Sequence, residues 1–240
     1  MEMALAWVVV MVAAMMHGMT GLGFGLVSVP ILMLFEDPRS VVVTTLMLAV
    51  VLNGLVLYQA RRHLSFRAAG PLTLGSLLGV PFGSFLLTVV SGGLLKEMVA
   101  GLLLLFSLPM LLGYSSTVRH SVPVSLLVGA VSGALQSSTA MGSPPVALFM
   151  TSQGVPKDSF RGIQVLRSMA ASALSVAALV PAGLLDASTA THALLLLPAL
   201  LIGFLAGSKL LGRISQRRFK RLTVLLVAGT ALVSLVANLL

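Results

Sequence analysis

The sequence predicts an all-α polytopic membrane protein. It has two repeats of about four apolar segments each, inverted relative to one another, and each opens with a broken or re-entrant helix. Three observations predict it. Of the 240 residues, 58% are hydrophobic and 9% charged, and mean hydropathy is +1.07; soluble domains carry far more charge. Stretches with few or no charges run 3–35, 40–60, 68–95, 98–118, 121–156, 168–185, 187–208 and 222–240. Each is close to or above the ~20 residues that cross a bilayer as helix. The stretches also recur in order, about 3–113 matching about 121–240 within a single transmembrane domain, 1–240. A membrane β-barrel would need short alternating segments, which are absent.

The net charge of +9 raises nucleic acid as a partner, but the basic residues sit in short loops, as the positive-inside rule predicts. The lipid bilayer is the expected partner, and nucleic acid is not. The chain has no cysteine, which removes disulfides, thiolate metal sites and thiol catalysis. No metal or other cofactor is expected. The first segment lacks a basic n-region and a small-residue cleavage site, so it reads as part of the mature protein.

Along the chain, the first segment is interrupted by GMTGLGFG at 18–25 and followed by EDPRS. Four glycines in eight positions oppose a continuous helix, since each interior glycine costs about 0.8–1 kcal/mol relative to alanine. The second segment carries Asn53, read as a tie between helices. The third contains GSLLGVPFG at 75–83, whose small residues suit tight helix packing. LLKEMVAGLLLL at 94–105 leads into the fourth. The fifth is interrupted by GALQSSTAMGSPP and followed by VPKDS. Arg167 lies about two turns into the sixth helix, about 9 Å along it from Arg161, with Gln164 one turn away as a second tie. The seventh carries GFLAGSKLLG at 203–212, an echo of 75–83, and RFKRLTVLLVAG at 218–229 echoes 94–105 before the eighth. Partners are spaced 115–128 residues apart.

The two interrupted segments, of 33 and 36 residues, are overlong for one crossing. Each is either a crossing with an unwound middle or a hairpin entering and leaving on one side. With eight simple crossings the 15 Lys and Arg divide four against eleven; with two hairpins they divide two (Arg39 and Lys96) against thirteen. The second division is the stronger positive-inside signal. A hairpin in the fifth segment alone gives the same division, and the likeness of the halves favours two. Three full crossings per half then invert the second repeat.

A helix break inside a membrane exposes backbone groups at several kcal/mol each, and is tolerated where it lines a cavity or binds something. Half-helices starting near Phe24 and Ser143 present free N–H groups and the positive ends of their dipoles. Pro144 and Pro145 suit a first helical turn. Facing each other, the two N-termini would make an anion site. Gly21, Gly23 and Gly25 let backbone approach a ligand, and Gly142 stands in the second break. Gln136, Ser137, Ser138 and Thr139 offer side-chain hydrogen bonds there. Arg167 either grips the anion bidentately or snorkels to the interface. His17, at the mouth of the first break, either carries a coupling proton or caps the preceding half-helix. Every acidic residue (Glu2, Glu36, Asp37, Glu97, Asp158 and Asp186) lies in a loop or at a segment end. That excludes a carboxylate proton relay and a carboxylate cage for sodium.

The glycine-rich broken openings, the proline-bearing turns after them and the paired GxxxG segments resemble the TauE/SafE-type sulfite exporter family of bacterial permeases, over about residues 10–240. The family's glycine stretch corresponds to Gly21, Gly23 and Gly25, with Leu22 and Phe24 between them, and STAMGSPP is its second-half counterpart. The resemblance implies a multi-pass protein of the bacterial inner membrane. It implies a secondary transporter moving sulfite or an organosulfonate through a site at the two breaks. A channel of the same architecture is the alternative. An intramembrane enzyme would need a Ser–His pair in a GxSxG setting, paired aspartates or HExxH, and the chain has none of these. No Walker motif is present either.

Overall fold

The computed structural model describes residues 2–61, 66–111 and 121–211. The expected eighth segment, its basic lead-in and residues 62–65 lie outside the described residues. All regular structure among the described residues is helical: α1 (Glu2–Thr20), α2 (Phe24–Leu32), α3 (Pro38–Ala60), α4 (Phe66–Val89), α5 (Gly92–Leu111), α6 (Val122–Thr139), α7 (Ser143–Ser152), α8 (Lys157–Leu179) and α9 (Ala187–Leu211). Six of these, α1, α3, α4, α6, α8 and α9, are long and apolar enough to cross a membrane. α2 and α7, of 9 and 10 residues, are too short.

Helix starts follow local chemistry. Asp37 caps α3 by accepting from the Ser40 N–H at 3.0 Å, with Pro38 in the first turn. Ser121 caps α6, again with proline in the first turn. Asp186 stands before α9, where hydrogen bonds from Thr189 and Ser188 hold its carboxyl down to about 2. Two boundaries differ from the hydropathy reading. α4 ends at Val89 rather than 95, because Ser91 starts a new helix by accepting from the Leu94 N–H at 3.4 Å; Lys96 and Glu97 therefore ride on α5. α8 starts at Lys157, well before the apolar stretch at 168, because three polar residues in its first half are buried against protein rather than lipid.

Both overlong segments double back. Ser132, on α6, donates to the carbonyl of Gly142, and the Gly142 N–H reaches Gln136 Oε1 at 3.1 Å. Ten residues of straight helix would separate Ser132 from Gly142 by about 15 Å, so the chain has reversed. For the first segment the marker is Glu36, just after α2, whose carboxylate lies 3.6 Å from His192 near the start of α9. α9 runs parallel to α1, with Gly203 against Met11 and Gly207 against Met15. His192 is therefore level with the start of α1, and α2 has returned the chain to that end.

The parallel pairs are held by glycine. Gly75, Gly79 and Gly83 lie against the carbonyls of Leu126, Ala130 and Ala134 on α6. Gly129 and Gly133 answer from α6 against Leu72 and Ser76. A Cβ at any of these positions would run into backbone. This is the close approach that small residues permit where lipid gives helices no hydrophobic reason to associate, and it bears out the packing reading of 75–83 and 203–207. Ser76 adds a hydrogen bond to the Gly129 carbonyl at 3.0 Å. α3 and α8 cross antiparallel through the middle, with Asn53 opposite Ser168 and Gln59 opposite Arg161.

Candidate functional site

At the first break the Gly21 N–H closes α1 on the His17 carbonyl at 2.7 Å. Gly21 and Gly23 then take φ of 71° and 105°, in the left-handed region where an L side chain is strained. The Thr20 hydroxyl braces the turn, donating to the Leu22 carbonyl at 2.6 Å and accepting from its N–H at 3.2 Å. At the second break Ala140 takes a φ of 56° and donates to the Gln136 carbonyl at 2.9 Å. The two tips touch: a Cβ at Gly25 would collide with the Ala140 carbonyl. The half-helices begin at Phe24 and Ser143, as the breaks predict.

The two N-termini are not equivalent. α2 is preceded by Gly23 with no side-chain cap, and the N–H groups of Phe24, Gly25 and Leu26 have no acceptor among the described residues. In α7, Pro144 and Pro145 have no N–H to give, and the Gly142 N–H is taken by Gln136. The first break is thus the richer donor, and the second contributes the Ser143 N–H.

Around the tips, α8 collects the polar side chains. Arg161, Gln164, Ser168, Ser172 and Ser175 recur at three- and four-residue spacing on one buried stripe. Arg161 Nη2 donates to the Gly18 carbonyl at 2.7 Å and to Gln59 Oε1 at 3.0 Å, holding the end of α1 against α3. Gln164 Nε2 reaches the Ser143 carbonyl at 3.4 Å. Ser168 accepts from Asn53 Nδ2 at 3.2 Å, and Ser172 accepts from Gln136 Nε2 at 3.0 Å. Asn53 and Gln164 thus act as the ties their positions suggest. Asn53 also accepts from His17 at 3.0 Å, so the histidine ring meets α3 and not the open carbonyls that a cap would serve.

Arg167 is 0% exposed. It is enclosed by protein, and the snorkelling arrangement is not what the fold holds. Nη1 reaches Ser76 Oγ at 3.5 Å, while Nε and Nη2 have no partner among the described residues. Those two N–H groups form the side-on edge of the guanidinium that matches two oxygens of one anion. His17 Nδ1, Arg161 Nε and Gln164 Oε1 are also buried without a partner. Among the described residues no carboxylate pairs with either arginine in a salt bridge; Asp158, one turn before Arg161, is the nearest along the helix.

Of the other expected ligands, Ser138 and Thr139 bond back to the Ala134 and Leu135 carbonyls, at 2.9 and 2.8 Å. Ser137 pairs with Ser84 of α4 at 2.5 Å. The hydroxyl hydrogens of Ser138 and Thr139 are committed within the fold, and Ser137 ties α6 to α4. Arg161, Ser168 and Ser172 join the polar centre without having been singled out from sequence; their common stripe was the available signal. The family model described as Sulfite exporter TauE/SafE matches residues 6–234. No curated protein and no solved structure matches the chain.

Proposed function

Because the chain belongs to the sulfite exporter TauE/SafE family, we propose that it is a secondary transporter of the bacterial inner membrane, moving sulfite or an organosulfonate anion through the polar centre between its two hairpin tips. One observation carries this reading. Arg167 is a fully buried cation whose side-on fork has no partner among the described residues. A buried charge without a counterpart costs several kcal/mol, and a small oxyanion offsets that cost with two charge-assisted hydrogen bonds. The free N–H groups of Phe24 and Gly25 add donors and the positive end of the α2 dipole. Gly21 and Gly23 shape that turn, and Gly25 brings it against the second tip. Gln136, Gly142 and Ser143 frame the opposite wall, and Ser137, Ser138 and Thr139 fix the end of α6 behind it.

An inverted repeat fits the same centre. The ends of α1 and α6, and the starts of α2 and α7 and of α3 and α8, stand at one constant offset. α4 packs on α6 as α9 packs on α1, so the halves exchange partners. Equivalent helices α3 and α8 run antiparallel, which calls for a two-fold axis in the membrane plane, the plan of many carriers with broken helices.

The test is transport by the purified chain in proteoliposomes, with labelled sulfite, sulfoacetate, taurine and sulfate in parallel. Saturable counterflow of sulfite or a sulfonate is expected. Unitary currents in place of counterflow would make the protein a channel, and no flux of any of the four would overturn the reading.

A further inference from the structure

The hydrogen-bond line from α1 to α8 fixes the state of His17. Asn53 donates through Nδ2 to Ser168 at 3.2 Å, which leaves its Oδ1 turned to the histidine at 3.0 Å. That oxygen only accepts, so His17 Nε2 carries the hydrogen and Nδ1 carries the lone pair. The ring is 3% exposed and stands edge-on to Phe24, the first residue of α2, with centroids 6.5 Å apart. Nδ1 has no partner. A buried acceptor at the mouth of the anion-binding break therefore lacks a hydrogen.

The charge beside the ring is positive. α8 contributes Arg161, bonded to the carbonyl of the next residue, Gly18, with Asp158 one turn before it on the same helix. From α3 comes the neutral Asn53 and from α2 the neutral Phe24. Among the described residues no carboxylate bonds to the ring or to Arg161. A proton on Nδ1 would add a cation to a cationic centre, and an anion bound at Arg167 would relieve that repulsion. Binding of the two ions is therefore mutually favourable, and by linkage each raises the affinity of the other by the same factor.

We propose that this centre loads its anion together with one proton, held on Nδ1 of His17, so that the protein is a proton–anion symporter. The proposal rests on the anion-transport reading above. The proton comes from the medium on the loading side, occupies the Nδ1 lone pair beside the anion, and leaves with it on the other side. No covalent bond within the protein is made or broken apart from that N–H, and no co-reactant is consumed. Arg167 keeps its charge throughout and supplies the fixed part of the attraction.

The test uses the full chain in proteoliposomes loaded with a pH-sensitive dye, with an inward sulfite gradient at pH 8 and protein-free vesicles as the baseline. The quantity read is protons moved per sulfite moved. The wild type should carry about one proton per anion, and His17→Gln, which cannot titrate, should lower that ratio at least tenfold. An undiminished ratio in His17→Gln overturns the proposal, since the proton would then travel on the anion or elsewhere. A wild-type ratio near zero overturns it as well, and decides the matter even where the variant fails to insert. Wild-type vesicles that move no sulfite would instead overturn the transport reading itself.

Discussion

Arg167 holds one long contact, to Ser76 at 3.5 Å, and its buried Nε and Nη2 edge has no partner among the described residues. A charge-assisted hydrogen bond contributes about 1.5–3 kcal/mol, or about 10- to 150-fold in a dissociation constant. Arg167→Gln should weaken apparent sulfite affinity by a factor in that range yet keep the preference for anions, because the N–H groups of Phe24 and Gly25 remain. Arg167→Lys should fall between, keeping the charge and losing the fork. Apparent KM for sulfite counterflow across the pair is the measurement, and equal values in both variants and the wild type would remove Arg167 from the site. Arg161 differs in kind, since its Nη2 is committed to Gly18 and Gln59. Arg161→Gln should loosen the tip of α1 and lower thermal stability, a readout on which Arg167→Gln should be mild.

Helix pairs make the scaffold, and glycine decides how close they come. Gly79 has the Ala130 carbonyl directly against it, while Gly54 on α3 has nothing within reach of a Cβ. Overpacking a tight contact costs about 1–3 kcal/mol. Gly79→Val should therefore lower the thermal midpoint of the detergent-solubilised protein by several degrees, and Gly54→Val should leave it nearly unchanged; equal midpoints would deny the α4–α6 contact. Gly25→Val should act on function too, because it wedges the tips apart at the site, and its loss of sulfite flux should exceed that of Gly79→Val at equal protein level. These elements were legible in the sequence because their cause is local. Clustered glycines at 18–25 and polar, proline-bearing residues at 133–145 break a helix wherever it is packed. The first half of α8 was not legible by hydropathy, because Arg161, Gln164 and Arg167 interrupt an apolar run and only tertiary burial makes them part of a membrane helix. Ser137, Ser138 and Thr139 stand at the end of α6 beside the break, but the partners of their hydroxyls depend on which helix lies alongside, and local pattern carries no record of that.

At the scale of the whole molecule, the fold sorts its ends onto two faces. Arg39 donates to the Val90 carbonyl at 2.7 Å, and Glu36 meets His192 at 3.6 Å. The start of α3, the turn between α4 and α5 and the start of α9 therefore share one face. Its charges among the described residues are mixed: Glu36, Asp37, Glu97 and Asp186 with Arg39 and Lys96. On the opposite face Arg61 ends α3 and Lys157 starts α8, close to the Gln59–Arg161 contact. Positive charge retained on one side orients a membrane protein with that side in the cytoplasm. The face of Arg61 and Lys157 should then be cytoplasmic and the face of Gly93 external. The chain has no cysteine, so single cysteines report cleanly. Gly93→Cys meets no neighbouring atom and should react with an impermeant thiol reagent applied to intact cells. Arg61→Cys, exposed at the far end of α3, should react only after the cells are opened. The reverse labelling would flip the molecule in the membrane. Labelling of both from outside would place the ends of α3 and the α4–α5 turn on one side, which two hairpins and antiparallel crossings do not allow.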